Sequence, residues 1–118
     1  MVVDDEPGVR KLAGGILARR GYRVLTAASG TECLERVGGL DEPVALLVTD
    51  VLMPDMNGVA LWRALAERFP RIQALFMSGY DASDLEALGI AVEAHRCLTK
   101  PFSIKDLAAR VEAALADD

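Results

Sequence analysis

The sequence predicts one α/β domain in which five strands of a parallel sheet alternate with five helices. Within the 118 residues, short apolar runs that suit buried strands recur five times, and each is followed by apolar residues at helical spacing. Such alternation implies right-handed βαβ units, which bring the strands into one sheet with helices on both faces. We therefore expect a doubly wound fold and a single domain over residues 1–118.

The first predicted strand, residues 1–3, ends at two carboxylates, Asp4 and Asp5. Three residues are few for a strand, so we expect that the chain has lost some residues at its start or was cut from a longer protein. The first helix is predicted from Pro7 to Gly21. Its apolar positions are Val9, Leu12, Ala13, Ile16 and Leu17, and the glycines at 14 and 15 are interpreted as tight packing against the sheet.

The second strand is predicted at residues 22–27, which are rich in β-formers. The second helix then begins with Ser29 as N-cap and Glu32 at the capping-box spacing, and two glycines at 38 and 39 end it. We expect Cys33 to lie on its buried face.

The third strand is the apolar run at residues 44–50, long enough for a strand that is buried on both faces, and it ends at Asp50. Asn57 and Gly58 open the third helix, which closes before Pro70. The apolar stripe of that helix is Leu61, Leu65 and Phe69.

The last two units are shorter. The fourth strand, residues 72–77, ends at Ser78, and the fourth helix is predicted at residues 81–88 with a glycine C-cap. The fifth strand, residues 96–98, runs into Lys100. The fifth helix is capped by Ser103 and carries Ile104, Leu107, Val111 and Leu115.

Composition excludes several classes of function. The net charge of −5 and the pI near 4.8 argue against the basic surface of a nucleic-acid-binding protein, so we expect no direct contact with nucleic acid. The first residues show no signal-peptide pattern, and no run approaches the roughly 18 apolar residues of a membrane span, so we expect no membrane contact by this domain. Cys33 and Cys97 lack the spacing of a metal or redox motif, and we interpret them as reduced thiols in the cytoplasm.

Polar side chains follow four of the five predicted strands, at the edge of the sheet where parallel strands end. They are Asp4, Asp5, Asp50, Ser78 and Lys100. Neighbouring carboxylates repel one another unless a cation neutralises them, and an all-oxygen ligand set suits Mg²⁺ or Mn²⁺. Asp50 alone is equally well explained as a turn cap. The five side chains together indicate phosphoryl transfer to a carboxylate.

Asp50 is the predicted nucleophile, because its strand is the longest and most buried and should fix the side chain best. Asp4 and Asp5 are better suited to hold the ion. Lys100 supplies a compact charge for a phosphate oxygen, and Ser78 can donate a hydrogen bond to another phosphoryl oxygen.

Four motifs on these strand ends resemble the receiver domain of two-component response regulators. The motifs are Val3-Asp4-Asp5-Glu6, Asp50 with Met53-Pro54-Asp55-Met56-Asn57-Gly58, Met77-Ser78-Gly79-Tyr80 and Lys100-Pro101-Phe102. The resemblance implies a flavodoxin-like fold with strand order 2-1-3-4-5. It also implies that Asp50 accepts a phosphoryl group from a histidine kinase or phosphotransfer protein, and that the domain catalyses its own phosphorylation and dephosphorylation and switches its conformation.

The same resemblance assigns individual roles by position. Asp5, Asp50 and the backbone carbonyl of Leu52 would bind Mg²⁺ directly, and Asp4 would bind it mainly through water. Ser78 and Lys100 would contact the phosphoryl group. The peptide bond that follows Lys100 would be cis, which an X-Pro bond tolerates.

One position departs from the family pattern. Receivers usually carry an aromatic residue three positions before the lysine, where it moves inward after phosphorylation, and this chain has Cys97 there. We interpret Cys97 as a small buried apolar residue rather than a redox site. Ser78, Tyr80 and Cys97 are the switch candidates. Tyr80 or a shift of the fourth helix would transmit the phosphorylated state, and weak signalling is the alternative.

Three further expectations concern the surroundings of the site. The motif at residues 77–80 resembles receivers of hybrid histidine kinases more than those joined to DNA-binding domains, although a stand-alone receiver fits the same residues. A homodimer through the fourth helix, fifth strand and fifth helix is a candidate assembly. Leu52 and Tyr80 flank the site, and we expect these bulky side chains to slow water access and lengthen the phosphoryl lifetime.

Three other functions share some of these features. A haloacid-dehalogenase-like phosphatase also uses an aspartyl nucleophile, but it needs a second aspartate two positions later, where this chain has Leu52. A degenerate receiver could act as a binding scaffold, although the acidic, hydroxyl and lysine set is complete. A flavin-binding relative is disfavoured, because the acidic residues 4–6 would repel a phosphate group.

Overall fold

Five parallel strands form one sheet in the computed structural model, which describes residues 1–116. The sheet order is β2-β1-β3-β4-β5, and each neighbouring pair is parallel. The predicted order 2-1-3-4-5 is therefore confirmed. The strands are β1 (Val2–Val3), β2 (Thr26–Ala27), β3 (Leu46–Asp50), β4 (Gln73–Ser78) and β5 (Cys97–Thr99).

Helices follow each strand, as predicted. They are α1 (Pro7–Arg19), α2 (Gly30–Gly38), α3 (Gly58–Arg68), α4 (Ala82–Ala87) and α5 (Ile104–Ala116), with a short 3-10 turn at Ala94–Arg96 before β5. The N-caps predicted for α2, α3 and α5 are confirmed, because Ser29, Asn57 and Ser103 each accept a backbone N–H of the first helical turn. The predicted capping box of α2 is incomplete: the Glu32 carboxylate accepts from Ala28 N at 3.2 Å.

Each face of the sheet is covered by different helices, because successive side chains of a strand point to opposite faces. On one face Val2 and Val48 pack with α1 and α5. On the other face Val3 and Leu47 pack with α2 and α3, and Phe76 packs beside α4. All five residues of β3 are buried, so the expectation of a strand covered on both sides is confirmed.

The second strand is shorter than predicted. We expected a strand at residues 22–27, but only Thr26–Ala27 pairs with β1, in the register Val2 to Thr26 and Val3 to Ala27. Leu25 still accepts a hydrogen bond from Val2 N at 2.8 Å, but residues 22–24 lie beyond the paired part of β1. Backbone that has no partner strand beside it does not form a ladder, whatever its β-propensity.

Other predicted boundaries and buried positions also need correction. β3 begins two residues later than expected, β4 and β5 each lie one residue later, and α4 is a six-residue helix within the predicted 81–88.

Leu12 and Ile104 are more than half exposed, because the buried stripes of α1 and α5 run through other residues. Gly14 is buried near Thr26, as expected, but Gly15 is exposed with no atom near its Cα that a side chain would meet.

Both cysteines are free and buried, as expected for Cys33 and Cys97. Within residues 1–116, no helix has both the length and the apolar character needed to cross a membrane.

Candidate functional site

Three carboxylates meet at the carboxyl edge of the sheet. Asp4 follows β1, Asp5 comes next, and Asp50 is the last residue of β3. One carboxylate oxygen from each of the three lies within 4.8 Å of the other two. The sequence-based expectation that the ends of β1 and β3 bring these groups together is therefore confirmed by the geometry.

The two neighbouring aspartates have different surroundings. Asp4 is fully buried, and its Oδ1 accepts from Glu6 N at 2.9 Å. The guanidinium of Arg10 donates to the main-chain oxygen of Asp4 at 2.7 Å, which fixes the start of the loop after β1. Asp5 is exposed to solvent. Asp4 is thus buried and held by a hydrogen bond, whereas Asp5 is accessible to solvent.

Lys100 lies at the carboxyl end of the outer strand β5 and contacts two of the three carboxylates. It directly follows β5, its Nζ donates to Asp4 Oδ2 at 2.9 Å, and the same Nζ lies 3.3 Å from Asp50 Oδ2. Burial alone would lower the pKa of Lys100, but the hydrogen bond to Asp4 and the charge of Asp50 outweigh it and raise the pKa above its ordinary value. Lys100 therefore stays charged, and the bond to Pro101 is cis, as predicted.

Asp50 is held in a partly desolvated position. Its side chain is only 11% exposed. Burial raises the pKa of the Asp50 carboxyl, the Lys100 ammonium opposes that rise, and the charge of Asp4 adds to it. The ionised form of Asp50 would therefore be stabilised by further positive charge at this edge.

The loop between β3 and α3 is built around a glycine. Gly58 N donates to Val51 O at 2.8 Å, which closes the loop that contains Leu52. A Cβ at Gly58 would lie 2.5 Å from the main-chain oxygen of Asp50, so only glycine fits there. Sequence reasoning identified Gly58 as a helix start but missed this contact with the Asp50 backbone.

Ser78 completes the edge from the neighbouring strand. Met77 pairs with Asp50 in the β3–β4 register, and Ser78 is the next residue along β4. Ser78 is 2% exposed, and its Oγ accepts from Tyr80 N at 3.0 Å. Lys100 N donates to Ser78 O at 2.7 Å, so a main-chain hydrogen bond links these two residues.

The predicted switch positions lie beside this edge. Tyr80 is about half exposed, at 48%. Cys97 is 7% exposed and packs with Phe76 and Leu85 of α4, while its Sγ lies 3.6 Å from Glu93 O. Burial raises the pKa of the Cys97 thiol. Its surroundings are those of a small buried apolar residue, as predicted.

The donor set fits a hard divalent cation. The candidate side-chain ligands are all carboxylate oxygens. The Lys100 ammonium contacts Asp4 and Asp50, two of these three carboxylates. Mg²⁺ takes oxygen ligands and keeps several waters, which an open edge with an exposed carboxylate allows. The residues present therefore suit Mg²⁺ or Mn²⁺ better than a nitrogen- or sulfur-preferring metal.

Comparison with known sequences covers almost the whole chain. A family model described as the response regulator receiver domain matches residues 1–112. The sensor kinase CckA of Brucella abortus (strain 2308) is 42% identical over 113 residues, which are 95% of this chain and 12% of that protein. The response regulator receiver protein CpdR of the same organism is 31% identical over 112 residues, which are 95% of this chain and 92% of that protein.

Solved structures agree with these relatives. The crystal structure of the receiver domain from the hybrid histidine kinase CckA has a TM-score of 0.73 and 36% identity, covering 97% of this chain and 95% of that chain. The solution structure of the beryllofluoride-activated NtrC4 receiver domain dimer has a TM-score of 0.79 and 29% identity, covering 98% and 94%. The phosphatase and scaffold alternatives are not favoured by these matches.

Proposed function

Because this chain belongs to the response regulator receiver domain family, we propose that it is a phosphoacceptor signalling domain and that Asp50 is its phosphorylation site. The observation that supports Asp50 most is its place at the buried end of β3. There its Oδ2 lies 3.3 Å from Lys100 Nζ, and its carboxylate belongs to the three-carboxylate group with Asp4 and Asp5.

The proposed reaction moves a phosphoryl group from a phosphohistidine to Asp50. A carboxylate oxygen of Asp50 attacks the phosphorus atom and forms a P–O bond, while the P–N bond to histidine breaks and the imidazole leaves with its electron pair. The attacking carboxylate must be ionised. Lys100 favours that form, because its charge opposes the effect of burial on the pKa of Asp50.

Mg²⁺ is the proposed cofactor, with Mn²⁺ as a substitute. Receiver domains are generally Mg²⁺-dependent. Asp5, Asp50 and the backbone carbonyl of Leu52 would hold the ion, and Asp4 would contact it mainly through water. When bound, the ion supplies positive charge that offsets the carboxylates and the oxygens of the transferring group.

Lys100 and Ser78 are proposed to bind the phosphoryl group. The Lys100 ammonium already lies between Asp4 and Asp50, so a small movement would bring it to a phosphoryl oxygen. The Ser78 hydroxyl is held at the end of β4 by Tyr80 N, and it has a proton to donate. Both groups can donate hydrogen bonds to the phosphoryl oxygens, whereas the carboxylates of the site would repel those oxygens.

Transmission of the phosphorylated state is proposed to run from Ser78 to α4 and Tyr80. α4 has one buried residue, Leu85, so a small part of the core anchors it. Movement of Ser78 toward a phosphoryl group would pull on the Tyr80 N–H and on the start of α4. Cys97 is too small to act as the aromatic side chain does in other receivers.

The wider context is also a proposal. Receiver domains interact with histidine kinases or phosphotransfer proteins, and either is the proposed phosphoryl donor here. We propose that the chain is the receiver of a hybrid kinase, because it resembles the CckA receiver, with a stand-alone receiver as the alternative. A single domain, a cytoplasmic location and a homodimer through α4, β5 and α5 are retained as predictions.

Incubation with acetyl phosphate tests the function as a whole. In the presence of Mg²⁺, the intact mass should increase by one phosphoryl group, and chelation of the metal should prevent the increase. A protein that remains unmodified with Mg²⁺, while a known receiver is modified in the same solution, would contradict the proposed function.

A further inference from the structure

The outer part of the loop between β3 and α3 is attached to the start of α2. Asp55 Oδ2 accepts a hydrogen bond from Thr31 N at 2.8 Å and a second from Thr31 Oγ1 at 2.9 Å. These contacts hold the pKa of Asp55 below its ordinary value, chiefly through the backbone N–H of Thr31. Asp55 lies in the motif after Asp50 and is not one of the grouped carboxylates.

Packing reinforces the same attachment. A Cβ at Gly30, the first residue of α2, would lie 2.5 Å from Met56 Cγ and 2.6 Å from Met56 Sδ. The Met56 side chain therefore occupies the space that any other residue at position 30 would need. Two neighbouring loop residues, Asp55 and Met56, thus contact two neighbouring residues of α2.

The inner end of the loop is fixed independently. Gly58 N donates to Val51 O at 2.8 Å, and Gly58 lies against the main-chain oxygen of Asp50. The segment of residues 52–57 is therefore attached at its base to β3 and at its tip to α2. Leu52, whose carbonyl is proposed as a metal ligand, lies between these two attachments.

We infer that Asp55 is a positioning residue for the metal site: its bonds to Thr31 hold the loop in the shape that presents the Leu52 carbonyl beside Asp5 and Asp50. This inference rests on the proposed function, because it assumes that the edge binds Mg²⁺. Asp55 itself would not touch the ion or the phosphoryl group. Loss of its contacts would leave both carboxylate ligands in place and make the carbonyl ligand less well oriented.

Mg²⁺ affinity is the readout that separates positioning from stability. Ser29→Ala is the matched control, because it removes another hydrogen bond at the start of α2, from Glu32 N to Ser29 Oγ at 3.1 Å, and leaves the loop contacts intact. The unphosphorylated proteins are titrated with MgCl₂ by calorimetry at constant ionic strength. Asp55→Ala should raise the dissociation constant about tenfold, the usual effect of losing a residue that orients a metal ligand.

Two further variants sharpen the test. Asp55→Asn keeps one acceptor oxygen for Thr31 N and should recover part of the affinity, while Thr31→Val removes only the hydroxyl contact and should have a smaller effect than Asp55→Ala. Equal Mg²⁺ affinity in Asp55→Ala and Ser29→Ala would overturn the inference. If Asp55→Ala and Ser29→Ala bound Mg²⁺ equally while Asp5→Ala bound it more weakly, the metal site would stand and only the role of Asp55 would be wrong. If the unchanged protein bound no Mg²⁺, the proposed metal site would be wrong as well.

Discussion

Gly58 lies so close to the main-chain oxygen of Asp50 that an added Cβ would be 2.5 Å from it. The start of α3 is therefore packed against the backbone of the proposed phosphorylation site. The hydrogen bond from Gly58 N to Val51 O, at 2.8 Å, maintains this arrangement. The shape of the site thus depends on the absence of a side chain as well as on the presence of carboxylates.

Gly58→Ala is expected to destabilise the protein. The new methyl group would meet backbone atoms, which cannot rotate away, and such overpacking typically costs about 1 to 3 kcal/mol. Gly15→Ala is the control, because Gly15 lies in α1 with open space around its Cα and should be stabilised by about 0.5 to 1 kcal/mol. Urea unfolding measures both changes, and a Gly58→Ala protein as stable as the unchanged one would contradict the close packing.

Mg²⁺ is expected to stabilise the folded protein through the carboxylate group. A ligand that binds only the folded state at 100 times its dissociation constant adds about 2.7 kcal/mol to the free energy of unfolding. Asp5→Ala should remove most of this gain, since Asp5 is one of the three grouped carboxylates. Asp41→Ala, which changes an exposed aspartate outside the group, should keep it. Equal stabilisation of both variants in thermal unfolding would argue against Asp5 as a ligand.

Alkaline pH is expected to destabilise the protein through Cys33. Burial raises the pKa of the Cys33 thiol to about 11, whereas an unfolded cysteine ionises near pH 8.5. Between these values the unfolded chain loses a proton that the folded protein keeps, so the free energy of unfolding falls as the pH rises, by up to about 1.4 kcal/mol per pH unit from this group.

A Cys33→Ala variant provides the comparison. Its stability should fall less steeply over the same pH range, because the titrating thiol is gone. Chemical unfolding at several alkaline pH values measures the two slopes. Identical slopes would mean that Cys33 ionises as easily in the folded protein as in the unfolded chain.

Leu52 and Tyr80 are expected to lengthen the life of the phosphorylated state. Both side chains are exposed, at 39% and 48%, next to residues of the site, and their bulk should hinder an attacking water. Leu52→Ala and Tyr80→Ala should each shorten the half-life of the phosphoryl group several-fold. Leu88→Ala removes an exposed apolar side chain at the end of α4 and should leave the half-life unchanged. An unchanged half-life in both site variants would contradict the expectation.

The positions of Asp50, Ser78 and Lys100 could be predicted because each follows an apolar run, and parallel strands end at one edge of the sheet. The extent of β2 could not be predicted from its β-formers, because a strand also needs a partner at each level. The different burial of Asp4 and Asp5 could not be predicted from the sequence either. Two adjacent aspartates look alike in a sequence, and only the fold decides which one meets Lys100.

The contact between Asp55 and Thr31 joins residues 24 positions apart, one in a loop and one in a helix. Neither residue type signals such a pair, since aspartate is common in turns and threonine is common near helix starts. The exposure of Leu12 and Ile104 has a similar cause. Apolar spacing predicts that a helix is amphipathic, but its buried stripe depends on where the helix meets the sheet.

The central claim is that Asp50 accepts the phosphoryl group. Comparing phosphorylation of the unchanged protein with that of an Asp50 variant tests it most directly. The unchanged protein, Asp50→Asn and Asp41→Asn are each incubated with acetyl phosphate and Mg²⁺, and the phosphoryl group is counted by intact mass. We predict one phosphoryl group on the unchanged protein and on Asp41→Asn, and none on Asp50→Asn. A phosphoryl group retained by Asp50→Asn at the level of the unchanged protein would show that another residue is the acceptor.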